Sequence, residues 1–188
     1  MANARRGSVV TLDASENPFG IPRDAPEMIR DYEPDRHHHR LRTCVVELQD
    51  FERGLEPALP DGQHIAETYL AFLLDRCARL SGKVFVAEVD DAVVGFVGVL
   101  TKVEPEEPDE DQTDYAYISD LVVLPSYRDQ GLGRALLQRA EAFARGRGAR
   151  ILRVGVLARN RGALALYHTM GFTDYQVQLV KRLSSESS

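Results

Sequence analysis

Apolar residues recur along the chain with two periods, and the switches between them mark out the elements. "HIAETYLAFLLDRCARLSG", from His64 to Gly82, places Ile65, Tyr69, Phe72, Leu73, Cys77 and Leu80 at helical spacing, with Gly82 as a stop. "KVFVAEV" and "VVGFVGVL" read as the two strands of a hairpin turning at Asp90-Asp91. "YAYISDLVVL", Tyr115 to Leu124, is a further strand, and beyond it Leu132, Ala135, Leu136, Ala140 and Phe143 form one helical stripe. "ARILRVGVL" reads as a strand, "NRGALALYHTM" as a helix capped by Asn160, and "FTDYQVQLVKRL" as one or two last strands. Ahead of these, "RTCVVELQD", Arg42 to Asp50, reads as a first strand running into a helix. The pattern predicts an α/β (α+β) domain, with a mixed sheet of six or seven strands and helices on its faces.

Residues 1–40 hold four of the nine prolines and show no apolar period, so they read as a mobile arm whose removal leaves folding intact. Residues 41–183 form the predicted domain and 184–188 a disordered tail. At 188 residues and 44% hydrophobic, the chain suits one domain with a real core. A formal charge of −6 argues against nucleic acid as a partner. Cys44 and Cys77 have no CxxC spacing, which predicts neither a zinc site nor a disulfide framework. "HHHR", His37 to Arg40, invites a metal, but consecutive side chains diverge on a helix or a strand, so no metal is expected. The N-terminus has no apolar leader and no run reaches membrane-spanning length, which predicts a cytoplasmic protein with no membrane partner. Seven acids between Glu104 and Asp114 read as a solvated loop.

Charge is unevenly spread. From Arg128 to Arg161 there are nine Arg and no Lys against two acids, in an otherwise acidic chain. At the head of that segment, "RDQGLG" (Arg128 to Gly133) turns from a strand into a helix, where free backbone N–H groups converge on an anion. A dinucleotide fingerprint fits it poorly. The third glycine of G-x-G-x-x-G falls on Leu136, and the following strand ends in "VLARN" without the acid that binds a ribose hydroxyl.

The same six residues resemble the [Q/R]-x-x-G-x-[G/A] signature of the GNAT superfamily of acyl-CoA-dependent N-acyltransferases. "NRGALALYHTMGF", Asn160 to Phe172, resembles their N-x-x-A-x-x-L-Y-x-x-x-G-F block, and the 27 residues from Gly133 to Asn160 suit the family spacing. The resemblance implies a GNAT-like, mostly antiparallel sheet whose fourth and fifth strands splay apart, and acetyl-CoA as cosubstrate. It implies backbone contacts to the pantetheine arm from Leu121, Val122 and Val123. It implies a pyrophosphate cradle of Arg128, Asp129, Gln130, Gly131, Leu132, Gly133 and Arg134, with Asn160 and Tyr167 also against coenzyme A. Tyr167 matches the family's general acid for the leaving thiolate. The family's two glutamate positions for a base are filled by Tyr117 and Gly155, so Asp120 is the nearest carboxylate. Strand alternation turns Asp120 away from Tyr117 unless a bulge intervenes, and on alternation alone Asp120→Asn costs little.

Without a strong base, a low-pKa amine is favoured. A lysine amine is neutral in about one molecule in 2,500 at pH 7, an α-amine in roughly one in seven. The expected activity is therefore acetyl transfer to a small-molecule primary amine or a peptide α-amine, by a monomer or homodimer. A catalytically silent acyl-CoA-binding domain and an NADP-binding module stay open as alternatives.

Overall fold

The computed structural model describes residues 25–105, 108–109 and 111–182. Backbone contacts divide the chain after Gly155 into two units. The first unit holds one sheet in the order β1-β2-β3-β4-β5. Its strands are β1 (Ile29–Asp31), β2 (Lys83–Val89), β3 (Ala92–Val103), β4 (Tyr115–Val123) and β5 (Leu152–Val154). All pairs are antiparallel except β4 with β5, which is parallel. Helices α1 (Pro34–Leu55), α2 (Gly62–Arg79) and α3 (Leu132–Gly146) belong to the same unit.

Alternation along β2 sorts the helices onto two faces. Val84 and Val86 pack with Leu41, Cys44 and Val45 of α1 and Leu70 and Leu73 of α2. Phe85, between them, turns the other way and meets Phe143 of α3 edge-on, with ring centroids 5.6 Å apart. The hairpin turn falls at Asp90 and Asp91, both at positive φ, which matches the right-handed twist of the strands.

Three sequence expectations change. The described part of the expected arm, residues 25–40, is built into the fold: β1 pairs with β2 through Ile29 opposite Ala87, and α1 begins at Pro34. The stretch Arg42–Asp50 is helical throughout rather than a strand entering a helix. The reason is a helical stripe that starts inside the arm with a polar residue: His37, Leu41, Cys44 and Val45 are all buried. His37 Nδ1 accepts the Glu33 backbone N–H at 2.9 Å and so satisfies the donor at the helix start, while Nε2 faces Glu88 at 3.2 Å. The third change is at the end of the chain. Residues 173–182 form no strand, and the sheet has five strands rather than six or seven. Tyr175, Val177, Leu179 and Val180 stand at least 71% exposed. Alternating apolar residues make a segment able to pair, but pairing also needs a partner edge. Residues 1–24 and the expected tail 184–188 lie outside the described residues.

A chain beginning at Leu41 lacks β1 and His37, and its expected loss is ~3 kcal/mol or more. A fall of roughly 6–12 °C in Tm checks this, and an unchanged Tm contradicts it.

The three histidines diverge as consecutive helical residues must. His37 points into the core, His38 meets the Tyr32 hydroxyl and Glu67, and His39 is exposed. Among the described residues, no group of three or more potential ligands is placed to hold a metal ion. Among the described residues, no helix is long and apolar enough to cross a membrane.

The second unit, residues 156–182 as described, is built around α4 (Arg161–Thr169). Asn160 Oδ1 accepts the Ala163 N–H at 3.1 Å, the cap expected from the sequence. At the other end Gly171, at φ +87°, lets the chain turn back. Its N–H reaches the His168 carbonyl, and the Phe172 N–H reaches the Tyr167 carbonyl, both at 3.0 Å. The Tyr167 and Phe172 rings then pack 5.6 Å apart. The Y-x-x-x-G-F spacing is thus also the spacing of a helix stop sealed by two aromatic rings.

Candidate active site

Strand β4 loses its neighbour halfway along. It pairs with β5 only at Ala116, Tyr117 and Ile118, while its pairing with β3 continues to Val123. From Ser119 onward its far edge has no strand partner among the described residues. The Leu124 N–H donates to Val94 at 2.8 Å, so by antiparallel alternation Val122 also bonds toward β3. Leu121 and Val123 turn their backbone groups to the open edge. Of the three residues expected to meet an extended ligand, two therefore offer backbone groups and Val122 is a core side chain, 5% exposed.

The open edge leads into the glycine turn. Pro125–Tyr127 make one tight turn, Asp129 and Gly131 both take positive φ (+60° and +81°), and α3 begins at Leu132. Gly131 accepts that conformation without a Cβ clash. No side chain caps α3, so its first N–H groups point out of the turn with the positive end of the helix dipole behind them. Leu132 is buried and contributes only backbone; Asp129 and Gln130 are exposed, and Gln130 Nε2 donates to the Ser126 carbonyl at 3.1 Å. Gly133 and Arg134 are half-buried at the helix start.

Arg128 is more committed than its sequence position suggests. Its Nε donates to the outward-facing Val123 carbonyl at 2.9 Å, and its guanidinium pairs with Glu47 of α1 at 3.0 Å and lies over the Phe51 ring. It ties the turn to β4 and α1. Several other arginines of the basic segment are also paired: Arg139 with Asp31, Arg145 with Glu141, and Arg147 over Phe143.

The bulge that alternation left open is present. Gly98 pairs with Asp120 and Val99 with Ile118, so Ser119 is the extra residue on β4. It brings Asp120 to the α1/α2 face, where Tyr117 and Val122 also pack. There the Tyr69 hydroxyl of α2 donates to Asp120 Oδ1 at 2.6 Å. Asp120 Oδ2 and Ser119 Oγ are buried without a hydrogen-bond partner among the described residues. Both lie toward Gly98, where a Cβ would stand 2.3 Å from Ser119 Oγ and 3.3 Å from Asp120 Oδ2. Gly98 keeps that space clear.

Burial holds the Asp120 carboxyl above the ordinary carboxylate range, against the opposing pull of the Tyr69 hydroxyl, of the adjacent Ser119 hydroxyl, which lies near the carboxyl without hydrogen-bond geometry, and of the Arg76 charge. Glu52 of α1 is also raised, by burial and then by the Asp120 charge. Burial pushes the Cys77 thiol to about 11 and Cys44 to about 12, so neither is a thiolate near neutral pH.

Tyr117 and Gly155, the two positions that the resemblance assigned to a base glutamate, are spatial neighbours. A Cβ on Gly155 would stand 2.8 Å from the Tyr117 hydroxyl, which fills the place of a Gly155 side chain. Sequence reasoning missed Tyr69, which it placed in an apolar stripe, and Glu47. A tyrosine instead of a phenylalanine on that stripe was the only signal for the first, and the second had none.

A family model, Acetyltransferase (GNAT) family, matches residues 16–172. An uncharacterized N-acetyltransferase of Methanocaldococcus jannaschii is 33% identical over 53% of this chain and 45% of its own length. The ribosomal protein bS18-alanine N-acetyltransferase of Escherichia coli is 38% identical over 35% of this chain and 44% of its own length. Thialysine N-epsilon-acetyltransferase of Bos taurus is 36% identical over 31% and 34%. The matches thus span less than half the length of these curated relatives. Among solved structures, a GCN5-related N-acetyltransferase from Ralstonia eutropha has a TM-score of 0.61 at 24% identity, over 82% of this chain and 97% of that one. The aminoglycoside N-acetyltransferase AAC(6')-Iy in complex with CoA has a TM-score of 0.58 at 18% identity, over 84% and 99%. Glycine turn, splayed β4 and the match over most of the chain agree: the protein belongs to the GNAT acetyltransferase family.

Proposed function

We propose that the protein transfers the acetyl group of acetyl-CoA to a primary amine, on a small molecule or at a peptide α-amine. One observation carries this reading: β4 parts from β5 after Ile118, and its open backbone edge runs straight into the uncapped start of α3. An extended amide-bearing arm ending in a pyrophosphate matches such a surface, strand-like along Leu121 and Val123 and anionic at Gly131–Arg134. The relatives acetylate a ribosomal-protein alanine and thialysine, which supports both kinds of acceptor.

The chemistry is direct attack. The amine nitrogen bonds to the thioester carbonyl carbon, the C–S bond breaks, and coenzyme A leaves as a thiolate that takes the Tyr167 proton. A phenol is an adequate donor, because the thiolate needs its proton only as the C–S bond breaks. The attacking amine gives its proton through a water to Asp120, whose buried Oδ2 has no hydrogen-bond partner among the described residues and whose raised pKa makes it a stronger base than an ordinary carboxylate. The buried, protonated Cys44 and Cys77 thiols disfavour a route through an acyl-cysteine.

Acetyl-CoA at about 100 times its dissociation constant is expected to add about 2.7 kcal/mol to stability, and NADPH nothing. Thermal melts read this directly. An equal or larger shift with NADPH would reject the acyl-CoA reading.

A further inference from the structure

Tyr69 sits in the apolar stripe of α2, yet its hydroxyl donates to Asp120 Oδ1 at 2.6 Å across to β4. We propose that Tyr69 is a positioning residue for acetyl transfer: its hydroxyl holds Oδ1 of Asp120 and leaves Oδ2 as the oxygen that takes the acceptor's proton, relayed by a water. The inference rests on the reading of Asp120 as the base.

Two features support it. Geometry comes first. Asp120 is 6% exposed, one oxygen is bonded to Tyr69, and the other has no hydrogen-bond partner among the described residues. A carboxylate held by one oxygen keeps its plane, so the second oxygen has a fixed direction. The second feature is that Tyr69 keeps its proton. Burial first, then the Asp120 charge, raise its phenol far above the ordinary value. Its O–H is therefore a donor at every pH of an assay, and the bond favours the charged form of Asp120.

The groups facing Asp120 decide what a pH profile reports. From α2 they are Tyr69, Arg76 and Cys77; from α1, Glu52; from β4, Ser119 and Tyr117. From β3, Gly98 brings no side chain. Arg76 and the hydroxyls favour the carboxylate; Glu52 and burial oppose it. With the Tyr69 donor gone, only Ser119 and Arg76 are left on the favouring side, and Asp120 loses its proton only at higher pH.

The experiment is the pH dependence of kcat in the wild type, Tyr69→Phe and Asp120→Asn. Phenylalanine keeps the ring and its packing and removes only the donor. The expected result is a wild-type acid limb absent in Asp120→Asn and moved up by about one to two pH units in Tyr69→Phe, from the loss of a hydrogen bond to a charged group. Above that limb, Tyr69→Phe turns over within about tenfold of the wild type. Replacing Tyr69 by 3-fluorotyrosine, a stronger donor that preserves the fold, moves the limb to lower pH. A limb that stays in place in both Tyr69 variants, while Asp120→Asn abolishes it, overturns the positioning role and leaves Asp120 as base. If Asp120→Asn retains the wild-type limb, the base assignment falls and the Tyr69 role with it.

Discussion

Replacing Tyr167 by phenylalanine is expected to lower turnover by ~10²–10⁴-fold while coenzyme A remains bound, the size expected for loss of a general acid. The substitution isolates the hydroxyl because the ring has a separate task. Tyr167 packs against Phe172 behind the Gly171 turn, and phenylalanine keeps that contact. If Tyr167→Phe lowers affinity for coenzyme A and leaves kcat intact, Tyr167 is a packing residue alone.

Asp120→Asn is expected to cost about a hundredfold in kcat at pH 8 and to abolish the acid limb. The same change should stabilise the fold, because a buried carboxyl with a raised pKa opposes folding at high pH. The sign follows from proton binding. Between the unfolded and folded pKa values the native state holds the extra proton, so stability is full below that window and falls as pH rises through it. Asparagine removes that loss. We expect a gain of ~1–3 kcal/mol at pH 8, shrinking toward pH 4, read as a Tm difference at the two pH values. A small kinetic effect with no change in the limb would return the base to water near Ser119 and Tyr117.

The features legible in the sequence were those with a local cause. Asp90-Asp91 marks its hairpin, Asn160 caps its helix, and the Leu132–Phe143 stripe announces α3. Where a non-local cause acts, the period misleads. "RTCVVELQD" is rich in β-branched residues, yet it is helical because His37 and Leu41 extend its stripe backwards into a proline-rich segment. The "YQVQLV" alternation shows capacity to pair and nothing about a partner edge. Asp120 is the most instructive case. Strict alternation sends it away from Tyr117, and only the one-residue bulge at Ser119, matched to Gly98 on the neighbouring strand, brings it back. No single strand's pattern records that match. The glycine turn was readable because close backbone approach selects glycine locally, whereas the Arg128–Glu47 pair joins residues 81 apart.

The central claim is acetyl transfer from acetyl-CoA to a primary amine, and the most direct measurement is release of the coenzyme A thiol with a panel of small amines and peptides, each product weighed by mass spectrometry. The account predicts thiol release matched one for one by acetylated amine for at least one small amine or peptide α-amine. Tight acetyl-CoA binding with no thiol release for any amine would contradict it and leave an acyl-CoA-binding domain without catalysis.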